Sequence, residues 1–303
     1  MPFRLLALAL ALLPAATAGA VPRVVADVAP VQSIVARVMQ GVGEPGLVLP
    51  PGASPHDHAL RPSEARRLQD AEVVVWVGPA LTAWLADPIA TLAPSATLVT
   101  LEDAPGVATL PLRAGGPFEP HDDDAKAGTA AIDAHLWLDP GNAAAAGRAV
   151  AAALTVADPA NAAAYAANAE ALARETAAQA AAIAGRLAPL AGRPYIVFHD
   201  GYQYFERRFG LPATGSIALH DGDAPGTARI AAIRDRVRAD DVVCVFAEPE
   251  FAPGLVETVI EGTAARTGRL DGLGAALPPG PGLYPALLDA LADSYVACLG
   301  GGS

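Results

Sequence analysis

The chain has 303 residues, 52% of them hydrophobic and 17% charged, and 20 Lys and Arg against 32 Asp and Glu give a net charge of −12. So apolar a composition excludes an intrinsically disordered chain. So acidic a balance excludes a nucleic-acid binder, which needs a basic surface to meet phosphate.

Residues 1–20 read as a secretory signal. Arg4 supplies a short positive start, Leu5 to Leu13 an apolar stretch, and Ala18-Gly19-Ala20 a small-residue cleavage site. The apolar stretch is short of the roughly 20 residues a membrane span needs, and no later stretch qualifies, so an integral membrane protein is excluded. No Cys stands beside the cleavage point to accept a lipid. The expected destination is therefore a soluble, oxidising compartment, the periplasm.

Beyond the signal, apolar strands alternate with helices. Arg23–Asp27, Gly46–Pro50, Glu72–Val77 and Thr97–Leu101 predict strands, and Pro30–Gln40, Pro62–Asp70 and Leu81–Leu92 predict helices. This alternation implies an α/β fold with parallel sheets covered on both faces. Pro111–Thr129, rich in Pro, Gly and acid, breaks the pattern and predicts a mobile acidic loop. His135–Asp139 predicts a return to extended structure, and Asp139-Pro140 a helix start with Asp as N-cap and Pro at the first helical position. From Asp158-Pro159 to Leu187 the chain is Ala-rich, with a single Gly, until Pro189 stops it. About 30 residues of strong helix formers make a rod of roughly 45 Å, a stiff connector between lobes. The alternation then resumes, with strands at Tyr195–Phe198, Asp241–Ala247 and Gly268–Leu270. Helices are expected at Tyr202–Phe209, Ala228–Val237, Leu255–Arg266 and Pro285–Leu299. The predicted organisation is an N-terminal α/β lobe over 21–157 (acidic loop 111–129), a rigid linker helix over 158–190 and a C-terminal α/β lobe over 191–303. Each lobe holds a parallel sheet flanked by helices.

Two cysteines, Cys244 and Cys298, are present. They either pair, closing a loop of about 54 residues worth about 4 kcal/mol on the chain-entropy model, or remain as buried thiols. Histidine carries the sharper signal. His56 lies in the loop after the strand ending at Pro50, and His199 and Asp271 each directly follow a strand. In parallel sheets, ligand groups gather beyond the carboxyl ends of strands. His135 opens the run His135-Leu136-Trp137-Leu138-Asp139. Three imidazoles with one carboxylate, drawn from both lobes, make a tetrahedral nitrogen and oxygen site that suits Zn²⁺ better than Ca²⁺ or Mg²⁺. The bland alternative is that each is an isolated structural histidine, since no short metal signature joins them. His58 is two residues from His56, so in an extended loop its side chain diverges to the rim. His121-Asp122-Asp123-Asp124 is either an accessory metal-capture run or a solvated acidic loop, and His220 reads as turn surface.

Gly41-Val42-Gly43-Glu44-Pro45-Gly46 matches the dinucleotide fingerprint on paper. It follows a helix and precedes a strand, the reverse of what that motif requires. Phosphate-loop, H-E-x-x-H and G-x-S-x-G signatures are missing.

Several segments together resemble one family: Pro51-Gly52-Ala53-Ser54-Pro55-His56-Asp57, Leu60-Arg61-Pro62-Ser63, Val75-Trp76-Val77-Gly78, His135-Leu136-Trp137-Leu138, Phe198-His199-Asp200-Gly201-Tyr202, Phe246-Ala247-Glu248-Pro249 and Leu270-Asp271. The likeness is to the solute-binding proteins of bacterial metal ABC transporters, cluster A-I, and above all to their zinc-binding members. The resemblance implies two α/β lobes joined by a rigid helix, a disulfide between Cys244 and Cys298, and Zn²⁺ held as cargo in the cleft. It implies delivery to a membrane permease, by a protein expected to be a monomer. Its ligand histidines carry over onto His56, His135 and His199. Some zinc members place Glu before the first His, where this chain has Pro55, and related members use an Asp matching Asp271. The fourth ligand is therefore expected to be Asp271 or water. Manganese or iron as cargo is the second reading. A zinc hydrolase, with Asp200 or Glu248 as general base, is a third.

Overall fold

Val24, Val25 and Ala26 are all buried, and a strand with no polar face belongs inside a covered parallel sheet. In the computed structural model β1 (Val24–Ala26) lies between β2 (Gly46–Leu47) and β3 (Val73–Trp76), and β3 pairs with β4 (Thr97–Thr100). All pairings are parallel, in the order β2-β1-β3-β4. The crossovers carry α1 (Ala29–Val38), α2 (Pro62–Gln69), α3 (Pro79–Thr82) and α4 (Ala86–Leu92). The residues described are 20–113, 115, 118, 132–218, 225–249, 251 and 254–301. The body of the signal sequence, the run His121 to Asp124 and His220 lie outside them.

Two helices follow. The Asp139 carboxylate accepts the Gly141 N–H at 2.6 Å and caps α5 (Pro140–Ala157), with Pro140 at the first position. The long helix α6 (Ala162–Leu187) is 26 residues, extended at either end by the tight turns Pro159–Asn161 and Ala188–Leu190. Its buried residues are Tyr165, Ala169, Leu172, Thr176, Ile183 and Leu187, spaced as one stripe of a helix. The stripe packs closely on α5, where a Cβ on Gly147 would lie 2.6 Å from Leu172 Cδ2.

The second lobe repeats the first. β5 (Tyr195–His199), β6 (Gly215–Ala218), β7 (Cys244–Ala247) and β8 (Arg266–Arg269) pair in parallel in the order β6-β5-β7-β8. They are interleaved with α7 (Gln203–Phe209), α8 (Thr227–Ala239) and α9 (Gly254–Ile260), and the chain closes with α10 (Leu283–Gly300). Cys244 and Cys298 are bonded, with Cα atoms 6.0 Å apart, fastening the end of α10 to the start of β7.

The two-lobed α/β architecture with a long helix is as expected; four local elements differ. His135–Asp139 is not extended: Leu136–Leu138 forms a 3₁₀ turn. Side chains capture its backbone, with Asn142 Nδ2 donating to the Leu136 carbonyl at 3.1 Å and Asp133 Oδ1 accepting the His135 N–H at 2.9 Å. The helix expected over Leu81–Leu92 is broken at Ala83–Leu85, because Pro88 cannot donate to the Trp84 carbonyl four residues back. Strand β6 gave no signal, since Gly215-Ser216-Ile217-Ala218 has little β preference. Arg229 protects this edge by donating to the Ser216 carbonyl at 2.8 Å. Finally, α9 stops at Ile260, where Thr263 Oγ1 donates to the Ile260 carbonyl at 2.7 Å. Arg266 to Arg269 then forms the edge strand β8 rather than the end of a helix.

The lobes meet along a bonded seam. Trp137, fully buried, donates its indole N–H to the Gly272 carbonyl at 2.9 Å, and Tyr284 donates its hydroxyl to the Trp137 carbonyl at 2.8 Å. Tyr204 on α7 accepts the Leu110 N–H at 2.9 Å and donates to the Asp133 carbonyl at 2.8 Å. At the carboxyl end of β5, Trp137 and Gly272 of this seam line a cavity with His199.

Candidate metal centre

Three loops bring three imidazoles together. His56 lies beyond β2, in a turn where its N–H donates to Ser54 Oγ at 3.2 Å and the Pro55 carbonyl accepts the Trp84 indole N–H at 2.7 Å. His135 precedes the 3₁₀ turn, and His199 is the last residue of β5. Ligand nitrogens of the three lie within 4.8 Å of one another. The Nε2 atoms of His135 and His199 are 3.2 Å apart. Two nitrogens bound to one Zn²⁺ at about 2.0–2.1 Å in tetrahedral geometry stand at nearly that separation.

The back of each of two rings is held by a carboxylate. Nδ1 of His135 meets Asp133 Oδ1 at 2.8 Å, and Nδ1 of His199 meets Glu248 Oε1 at 2.8 Å. Both carboxylates are buried, and Glu248 Oε2 also accepts the Tyr202 hydroxyl at 3.0 Å. Such a partner keeps the proton on Nδ1 and turns the Nε2 lone pair to the front. Two neutral imidazoles backed by two carboxylates also place two negative charges behind the nitrogens, matching a divalent cation. Gly201 completes the fit: a Cβ there would lie 2.2 Å from His199 Nε2, so only glycine lets the ring lie over the turn. Pro55, Trp137, Tyr202, Phe251 and Leu273 line the surrounding cavity of about 20 Å³ and make its wall mostly apolar.

Asp271 falls outside the histidine group. Its Oδ1 accepts the N–H groups of Leu273 at 3.1 Å and Gly274 at 2.7 Å, shaping the turn whose Gly272 and Leu273 line the cavity. His58 sits apart, its Nε2 2.8 Å from Glu64 Oε2 and its ring edge-on to Trp84. Burial pushes the Glu64 carboxyl up, but the Arg61 N–H and His58 outweigh it and hold that carboxyl below its ordinary value. Gly41 to Gly46 runs from the turn after α1 into β2, as expected of a coincidental match. Asp133 and Glu248 were not anticipated as histidine partners. The spacing Asp133-Ala134-His135 was the only local hint of the first, and Glu248 lies 49 residues from the ring it holds.

A sequence profile described as ZnuA, Zinc-uptake complex component A periplasmic, matches residues 24–298. The chain is 42% identical over 304 aligned positions to the high-affinity zinc uptake system protein ZnuA of Brucella abortus (strain 2308), covering 91% of each. It is 38% identical to the protein of that name from Paracoccus denitrificans (strain Pd 1222), covering 92% of each. A crystal structure of ZnuA superposes with a TM-score of 0.78 at 23% identity, over 91% of this chain and 98% of that one.

Proposed function

Because the chain belongs to the ZnuA family of periplasmic zinc-uptake components, we propose that it captures Zn²⁺ between its lobes on His56, His135 and His199. From there it hands the ion to the membrane permease of an ABC transporter. The family is one of transport components and not of enzymes. Asp200 and Glu248, the candidate bases of a hydrolase, are both engaged, one by Arg113 and the other by His199 and Tyr202. The observation that carries the proposal is the pair of Nε2 atoms 3.2 Å apart, each with its Nδ1 on a buried carboxylate.

Water takes the fourth position in this reading, while Asp271 holds the wall of the cavity through its turn. A donor set of three nitrogens with no carboxylate oxygen among them favours zinc over manganese or iron. The protein works as a monomer.

Competition calorimetry with Zn²⁺ and Mn²⁺ at equal free concentration tests the cargo, and zinc is expected to displace manganese. Preference for manganese would overturn the assignment. Asp271→Asn keeps an oxygen for the turn and is expected to bind zinc as the parent chain does. A large loss of affinity would make Asp271 the fourth ligand.

A further inference from the structure

Arg113 comes from the N-terminal half of the chain, but its guanidinium is committed to the other lobe. Nε donates to the Asp200 oxygens at 2.8 and 3.1 Å, Nη2 also meets Asp200 Oδ1, and Nη1 donates to Glu206 Oε2 at 2.5 Å. The ring of Phe118 lies against the guanidinium, its centroid 4.0 Å from Cζ. The three charged side chains are 17%, 7% and 3% exposed. Another ion pair across this seam, Arg208 to Asp139, is 41% and 20% exposed and so more open to screening by solvent. The planar fork of arginine, shared between two carboxylates, fixes relative orientation in a way a single point charge does not.

The two carboxylates have distinct places. Asp200 is bonded directly to His199, in a turn closed by the Gly201 N–H on the His199 carbonyl at 2.9 Å. Glu206 lies on α7 and accepts the Ala213 N–H at 3.1 Å. Arg113 thus ties the turn that carries His199 to the lobe that carries His56 and His135. An ion held by nitrogens from both lobes leaves when that turn parts from them.

We propose that Arg113 is a positioning residue for metal release. By clasping Asp200 and Glu206 it holds His199 against the two histidines of the opposite lobe, and its grip sets how fast zinc dissociates. This rests on the zinc-capture reading above.

The test is zinc dissociation from the full-length protein, loaded with one equivalent and mixed with excess chromogenic chelator in a stopped-flow instrument. Thermal midpoints are measured in parallel. Arg113→Met is expected to speed release at least tenfold, roughly the scale on which loss of one partner of a buried charge pair acts on dissociation. Because that change strands two carboxylates, the double variant Arg113→Met with Glu206→Gln serves as the stability control. It is expected to recover part of the Tm while still releasing zinc fast. Arg113→Lys, which keeps the charge but not the fork, is expected to release zinc faster than the wild type and more slowly than Arg113→Met.

Wild-type release rates in the double variant or in Arg113→Lys would overturn the proposal and leave Arg113 a purely structural residue. Failure of the parent chain itself to retain zinc would instead sink the capture reading on which this one stands.

Discussion

At the scale of single residues, the chemistry of the site depends on what stands behind each imidazole. Asp133→Asn and Glu248→Gln keep the shape of the two partners but remove the charge that holds the proton on Nδ1. Zinc affinity is expected to fall about 10- to 100-fold for either, while His58→Ala, outside the group, is expected to change it little. Equal losses in all three variants in a competition titration would show that the site extends further than the three histidines. A second residue-scale effect concerns stability. Asp27, buried at the end of β1, accepts the N–H groups of Val28 and Val77 at 2.8 Å each. Burial pushes its carboxyl up to about 7, more than those amides lower it. A carboxyl raised in the folded state contributes its full stability below the unfolded value and loses it as pH rises through about 7. Urea midpoints from pH 4 to 8 are therefore expected to decline less on raising the pH in Asp27→Asn than in the parent chain. Parallel slopes would place the burden on another group.

At the scale of elements, α6 is the part whose design is plainest. Alanine-rich sequence makes it helical, its apolar stripe seats it on α5, and its polar side chains attach it at both ends. In its first half, Asn168 Nδ2 donates to the Val38 and Gln40 carbonyls at 2.9 Å, and at its middle Glu175 takes Arg37 of α1 through two bonds at 2.6 and 3.0 Å. Toward its end, Gln179 Nε2 donates to the Pro285 carbonyl at 2.7 Å, and Arg186 pairs with Asp289 and Asp293 of α10. The disulfide acts at the opposite end of the second sheet from His199, where β7 begins. The double variant Cys244→Ser and Cys298→Ser is accordingly expected to lose about 4 kcal/mol, the chain-entropy value for its loop, with zinc affinity unchanged. A matching loss of affinity would mean that the strain of opening this end reaches the cleft.

At the scale of the whole molecule, the lobes are held by α6, by α10 and by the seam of Trp137, Tyr204, Tyr284 and Arg113. Tyr284 also donates its N–H to Ser33 Oγ of α1 at 2.9 Å, so α10 grips both halves. A frame braced on several sides does not open like a hinge. Zinc capture and release are expected to proceed by rearrangement of the loops around the site. Small-angle scattering curves with and without zinc should superpose, and a marked compaction on binding would contradict this. Neutral imidazoles bind the ion, so protons compete for it, and affinity should fall from pH 7.5 to 5.

The amino-acid sequence alone determined the alternating α/β pattern, the long alanine-rich helix and the positions of His56 and His199 beyond strands, because these are local matters of periodicity, propensity and position after a strand; His135 was legible through the segment His135-Leu136-Trp137-Leu138 of the family likeness. It also carried the family likeness through short segments that each keep their own neighbours. What only the tertiary structure decided lies between segments distant in the chain. Pairing of β6 and β8 depends on edges supplied by other strands, and the 3₁₀ turn after His135 depends on Asp133 and Asn142 claiming its backbone. The carboxylates behind the rings, the turn made by Asp271 and the reach of Arg113 across the seam are likewise set by packing. A side chain's partner is fixed by where the fold delivers its atoms, and spacing along the chain does not record that when partners stand 49 or 87 positions apart.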